Sequence, residues 1–151
     1  YTAVVTNAYR AVIDSYIKDK ERYAFDSCWL RELDSVSHRE YCTGYYFDLP
    51  SENAQTCTMP GYLREKSYLA VCRGYDGASG LAKFEQRNKV KVGDPVEIIS
   101  PGLPGRGFTV ERMTDSAGNP VESAPHPFME FFISMPFAVG EGDILRSAER
   151  E

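Results

Sequence analysis

The cysteines and histidines of this sequence, the parts of a thiol nucleophile or a Cys/His metal site, number six: Cys28, Cys42, Cys57, Cys72, His38 and His126. A cysteine nucleophile needs its thiolate beside an imidazole, usually oriented by a third polar group. The four cysteines follow one another at intervals of 14, 15 and 15 residues. Each sits in or beside an apolar pattern, where cysteine behaves as a small buried hydrophobe. No nucleophile signature surrounds any of them, and no pair forms the C-x-x-C of a zinc ribbon or a thioredoxin-type redox site. His38 and Cys42 stand four apart, a ligand spacing if both lie on one helix face. Residues 41–47 are rich in Tyr and Phe and read as strand, which breaks that geometry, and no second pair completes a tetrahedral set. The sequence therefore predicts no catalytic residue, no metal and no cofactor in this chain. Its thiols are expected to be reduced, as in a cytoplasmic protein.

Binding chemistry is better represented. Gln86-Arg-Asn-Lys-Val-Lys91 carries three positive charges, Arg87, Lys89 and Lys91. With the aromatic Tyr45 and Tyr46 nearby, such a run could hold RNA through phosphate contact and base stacking. An edge strand guarded against aggregation by its charges accounts for the same residues without a ligand. His126 lies between Pro125 and Pro127, which confine the backbone to extended geometry and present the imidazole either as a contact or as part of a strand-capping turn. Glu130 and Glu141 have no partner constellation, and no Gly-rich phosphate loop precedes a helix.

The totals set limits on these readings. With 22 acidic and 17 basic residues the net charge is −5, so no global attraction to nucleic acid exists and any basic surface is local. A chain of 151 residues, 42% apolar, fills one core, or one small domain with an extension. No apolar run is long enough to span a membrane, and no signal-peptide pattern is present. A helical pattern already under way at Tyr1 suggests a piece of something longer.

Two elements of helical period lead the chain. Val5, Tyr9, Val12 and Tyr16, with Ala8, Ile13 and Ile17, form an apolar stripe opposite Arg10, Asp14, Lys18 and Glu21. Asp26 is placed to cap a second helix with Trp29, Leu30, Leu33 and Val36 facing inward. From Arg39 onward the texture becomes short β-rich runs divided by Gly and Pro. Strands are predicted at residues 41–48, 68–73, 81–86, 95–100, 108–113, 129–135 and 144–146. Gly74 to Gly80 reads as the connection of a hairpin. Val92-Gly-Asp94 and Gly140-Glu-Gly-Asp143 each precede an apolar strand, where Gly permits a tight turn and Asp bonds nearby amides. The predicted fold is mainly β, a helical lead-in over residues 1–38 and a six- or seven-stranded antiparallel β-barrel over 39–151. Its turns resemble those of translation-factor-type barrels.

Several stretches, in order, carry a wider resemblance: Val36-Ser-His-Arg-Glu-Tyr-Cys-Thr-Gly-Tyr-Tyr-Phe47, Gly80-Leu-Ala-Lys-Phe-Glu-Gln-Arg-Asn-Lys89, Val92-Gly-Asp94, Ala124-Pro-His-Pro127 and Val139 through Leu145. Together with Asn7-Ala-Tyr-Arg10 they resemble the C-terminal region of the collagenase-like peptidases, family U-thirty-two. Asp48-Leu49 stands where that family is expected to place Gly-Lys before Pro50, which removes a positive charge from the loop.

The resemblance implies an N-terminal catalytic domain resembling a TIM barrel, with this barrel as its accessory. Some members are associated with collagen degradation and others with hydroxylation of tRNA or ribosomal RNA. The chain is accordingly expected to be non-catalytic and to orient a peptide or structured RNA for an N-terminal catalytic domain. Arg87, Lys89, Lys91, Tyr45, Tyr46 and His126 are its candidate contacts. The alternative is a purely architectural or oligomerisation module that stabilises the parent enzyme.

Overall fold

A computed structural model describes residues 1–38, 41, 46–47 and 66–148 of the chain. Helix α1 spans Thr2–Lys18 and ends where the apolar repeat gives way to charge. Its buried residues are Val4 and Ala8, one turn apart, while Val5, Ala11 and Val12 are half-buried. Tyr9, Ile13, Tyr16 and Ile17, expected on the inward stripe, are exposed instead. Helix α1 packs on α2 and, through Asn7, on the loop after β4, and its buried residues cover only a narrow face, so the stripe is wider than the surface that meets it. Helix α2 spans Cys28–Asp34. The N-cap is Ser27, one residue later than expected, and it makes no side-chain cap bond; Asp26 instead accepts the Cys28 N–H at 2.8 Å from the position before the cap. Trp29, Leu33 and Val36 are half-buried and Leu30 is exposed.

Among the described residues nine strands follow: β1 (Tyr68–Asp76), β2 (Leu81–Gln86), β3 (Val90–Lys91), β4 (Pro95–Ile99), β5 (Arg106–Thr109), β6 (Met113–Thr114), β7 (Ser123–Ala124), β8 (Glu130–Ser134) and β9 (Ile144–Ser147). Seven of them form one antiparallel sheet in the order β5-β4-β9-β1-β2-β8-β6, and β3 pairs with β7. Strand β2 shows why: Ala82, Phe84 and Gln86 are buried, and the alternate Leu81, Lys83 and Glu85 are not. Phe84 packs on Phe131 with ring centroids 5.8 Å apart, within a core that includes Ile98, Met113, Ile133 and Leu145. The sheet curls into a half-barrel whose edges are β5 and β6, and only residues 110–112 separate those two strands in sequence. The run predicted as one strand over 108–113 is therefore two. Val110 turns into the core between them, and its N–H bonds to the Asp94 carbonyl at 3.1 Å. The predicted strand over 41–48 lies largely outside the described residues.

The repeated Gly-Asp turn is a repeated structure. Gly93 and Gly142 have φ of 88° and 92°, which a side chain would strain. Asp94 accepts the Lys91 N–H at 2.9 Å and Asp143 accepts the Gly140 N–H at 3.0 Å. Gly93 donates to Val110, which donates back to Asp94, and Gly142 and Asp143 make the same exchange with Cys72. Each turn launches one of the neighbouring strands β4 and β9.

Candidate functional site

A buried ionic cluster joins α2 to the barrel. Arg146, on β9, is 3% exposed. Its Nε donates to Glu97 of β4 at 2.8 Å, and Nη2 sits 2.9 and 2.8 Å from the two carboxylate oxygens of Glu32 of α2. Nη1 donates to the Ser35 hydroxyl at 2.8 Å. Lys66 completes the set on Glu97 at 2.8 and 2.9 Å. Burial pushes the Glu97 carboxyl up, but the Lys66 hydrogen bonds and the Arg146 charge outweigh it and hold it below the usual range. Glu32 also accepts the Gly105 N–H at 2.9 Å.

Beside this cluster α1 leans on the loop after β4. The Asn7 amide donates to the carbonyls of Ser100 at 3.2 Å and Leu103 at 2.9 Å, and accepts the Gly102 N–H at 2.6 Å. A cleft of about 770 Å³ runs along the seam, lined by Thr6, Asn7, Arg10, Trp29, Ser100 and Gly142 among others. Arg10 is paired with Asp14 at 2.6 Å, and no nucleophile–base pair lines the cleft. The seam is built to hold parts together.

Of the cysteines and histidines, the structure describes Cys28, Cys72, His38 and His126. Burial raises the Cys28 thiol, and Asp26 raises it further, so the thiolate is disfavoured. Cys72 is buried in the core and likewise raised by burial. His38 is buried, stacks on Tyr41 with centroids 4.3 Å apart and places Nε2 3.2 Å from the Asp34 carbonyl. Cys42 and Cys57 lie outside the described residues. Among the described residues no group of three His, Cys, Asp or Glu could hold a metal ion.

The residues singled out for binding converge in part. Gln86 donates its backbone N–H to Met129 at 3.0 Å and accepts the Phe128 N–H at 3.1 Å, while Val90 and Lys91 pair with Ala124 and Ser123. Segments 86–91 and 123–129 therefore form one end of the barrel, carrying Arg87, Lys89, Lys91 and His126. Lys89, Lys91 and His126 are exposed, and among the described residues no carboxylate pairs with either lysine. Arg87 is half-buried, pairs with Glu85 and lies with its guanidinium carbon 4.6 Å from the Phe128 ring centroid. The His126 carbonyl accepts the Met129 N–H at 3.1 Å, so the capping role in this loop belongs to its backbone.

Tyr46 is exposed and packs edge-on against Phe47 with centroids 4.9 Å apart, and Tyr45 lies outside the described residues. Phe128 carries no sequence signal, yet it is the aromatic this end presents. It is 68% exposed, and its φ of 62° is the one left-handed value on a non-glycine residue among those described. Such a backbone costs on the order of 1 kcal/mol or more.

Two family models match this chain. Residues 64–146 match "Peptidase family U32 C-terminal domain", and residues 1–56 match "Peptidase family U32". The chain belongs to peptidase family U32. The barrel is thus its C-terminal domain, and the ionic cluster ties that domain to α2, which lies within the residues matched by the other U32 model.

Among curated relatives, the tRNA hydroxylation protein P1 of Bacillus subtilis is 31% identical over 127 residues, covering 84% of this chain and 30% of that protein. The tRNA hydroxylation protein P of Escherichia coli is 24% identical over 136 residues, 90% of this chain and 29% of the relative. The chain therefore spans less than a third of the relatives it matches. The crystallised C-terminal domain of a U32 peptidase-family protein from Geobacillus thermoleovorans superposes with a TM-score of 0.52 at 26% identity, over 54% of this chain and 99% of that one. No helix among the described residues is long and apolar enough to cross a membrane.

Proposed function

We propose that this chain is a non-catalytic accessory region of a U32 protein acting in tRNA hydroxylation in the cytoplasm, and that its barrel orients the RNA substrate for a catalytic domain N-terminal to it. The buried Arg146 cluster carries the reading. It fixes α2 and the barrel as one body, so the end bearing Arg87, Lys89 and Lys91 keeps a set position relative to the helices that match the main U32 model. Two relatives bear names that place them in tRNA hydroxylation, which supports RNA over peptide as the substrate. In the two described cysteines, Cys28 and Cys72, burial raises the thiol, which disfavours the nucleophilic thiolate there.

The test compares full-length protein with a version lacking residues 66–151, expressed in cells without the endogenous protein. tRNA hydroxylation and peptide cleavage are measured in parallel. Hydroxylation is expected to fall on truncation; unchanged hydroxylation would overturn the proposal.

A specific observation also favours the architectural reading. Tyr9, Ile13, Tyr16 and Ile17 leave an apolar face of α1 open, suited to packing on another part of the parent protein. Under that reading charge reversal at Lys89 and Lys91 leaves hydroxylation intact, whereas polar substitution at Ile13 and Ile17 removes it.

A further inference from the structure

We propose that Phe128 is a stacking platform for one unpaired nucleobase of a structured RNA, with Lys89 and Lys91 on the neighbouring segment supplying phosphate contacts. The inference rests on the reading that the barrel orients RNA, and it names the residue and the mode of contact.

Three observations combine. Phe128 occupies a left-handed backbone conformation that glycine or asparagine would adopt with less strain. Hydrogen bonds from the Phe128 N–H to Gln86 and from the Met129 N–H to His126, both 3.1 Å, hold it there, with prolines at 125 and 127 limiting the flanking backbone. Second, Phe128 is 68% exposed as a residue, so burial does not offset the strain. Third, the Arg87 guanidinium lies against the ring, 4.6 Å from its centroid, and is itself held by Glu85. The result is a preorganised aromatic surface backed by a cation. Strained residues that are over-determined by their surroundings concentrate at ligand contacts.

The charge around the ring selects the partner. Segments 86–91 and 123–129 hold three cationic side chains and no carboxylate, in a chain of net charge −5. The adjacent Glu85 is engaged by Arg73 and Arg87, and Glu130 by Lys83; the nearby acids without a cationic partner among the described residues are Glu122 and Asp94, and the Asp94 carboxylate is occupied by the Lys91 backbone N–H at 2.9 Å. A flat base linked to phosphates uses both the ring and the lysines, and an aromatic accepts any base because every base has a π-face. An uncharged peptide uses only the ring.

Binding of labelled bulk tRNA to the 151-residue chain by fluorescence anisotropy, over a range of salt, tests this. Phe128→Gly is expected to weaken binding about ten-fold, within the range for losing one stacked base, and to leave the salt dependence unchanged. Phe128→Trp is expected to bind like the parent chain. Lys91→Gln is expected to lower the slope of log affinity against log salt by about 0.7–0.9. Because Phe128→Gly relieves strain, its melting temperature should hold or rise, which separates lost contact from lost fold. If the parent chain binds tRNA and Phe128→Gly binds equally well, the platform is overturned while the wider proposal stands. If Phe128→Gly spares tRNA but weakens a proline-rich peptide, the RNA assignment is overturned. If the parent chain binds no tRNA, both fall.

Discussion

Replacing Arg146 by methionine keeps the apolar stem and removes the guanidinium that joins α2, β4 and β9. Arg146 is 3% exposed and makes direct contacts to Glu32, Glu97 and Ser35. Removing one partner of a buried ion pair costs about 3–5 kcal/mol, because the remaining charge stays buried without compensation. Here compensation survives in part. Glu97 keeps Lys66 at 2.8 and 2.9 Å, and Glu32 keeps the Gly105 N–H at 2.9 Å. The expected cost is therefore near the lower bound, about 3 kcal/mol. For a domain of this size that corresponds to a fall in Tm of roughly 6–12 °C. Trp29 is the single tryptophan, and it lines the seam cleft, so its fluorescence reports helix docking while far-UV circular dichroism follows the sheet. Urea titration of Arg146→Met should shift the Trp29 transition to lower denaturant by more than the sheet transition. In a cycle with Glu32→Gln, the double variant should lose less than the two single losses combined. A cost below about 1 kcal/mol, the range of a solvent-screened pair, would refute the reasoning. So would a Trp29 transition that does not move.

Two further outcomes follow from the same cluster. A β-carbon at Gly105 would meet the Arg146 guanidinium and stand 2.6 Å from the Glu97 carboxylate, so Gly105→Ala should cost about 1–3 kcal/mol, read as a lower Tm; an unchanged Tm would show that the cluster gives way easily. Glu97 is held below its unfolded value, so its stabilising contribution is complete above the unfolded carboxylate pKa of about 4.3 and is lost as pH falls through the lower folded value. Thermal melts between about pH 2 and 6 should therefore show a shallower acid loss for Glu97→Gln than for the parent chain, and equal slopes would contradict the assignment.

How much was legible in the sequence varies with the distance over which each feature acts. The β1–β2 hairpin was readable because Ala82, Phe84 and Gln86 alternate with Lys83 and Glu85 and because glycines punctuate the connection. Strands β3 and β7 have two residues each, too few for any period to emerge. The stripe of α1 was readable as apolar, but which part becomes buried depends on where Asn7 meets the 100–103 loop. The ionic cluster left little trace, since Glu32, Lys66, Glu97 and Arg146 are ordinary charges until the fold assembles them. One clue was local: Arg146 follows Ile-Leu in a strand buried on both faces, where an arginine requires partners. At the basic end Arg87, Lys89, Lys91 and His126 were singled out by charge and proline context. That Phe128 stands exposed among them was not legible, because nothing in Pro-Phe-Met announces a left-handed backbone.

The separation along the chain between Arg146 and its helix partners, 111 residues to Ser35 and 114 to Glu32, also sets an order of events during synthesis. Both helices leave the ribosome well before the strand that fastens them. At about 5–20 residues per second the wait lasts roughly 6–23 s. Throughout that interval the Glu32 carboxylate lacks its arginine and the inner faces of the helices have no barrel to cover them. Docking of α2 is thus a late checkpoint: a nascent chain interrupted anywhere before β9 can begin a barrel, but it cannot fasten α2 to it through Arg146.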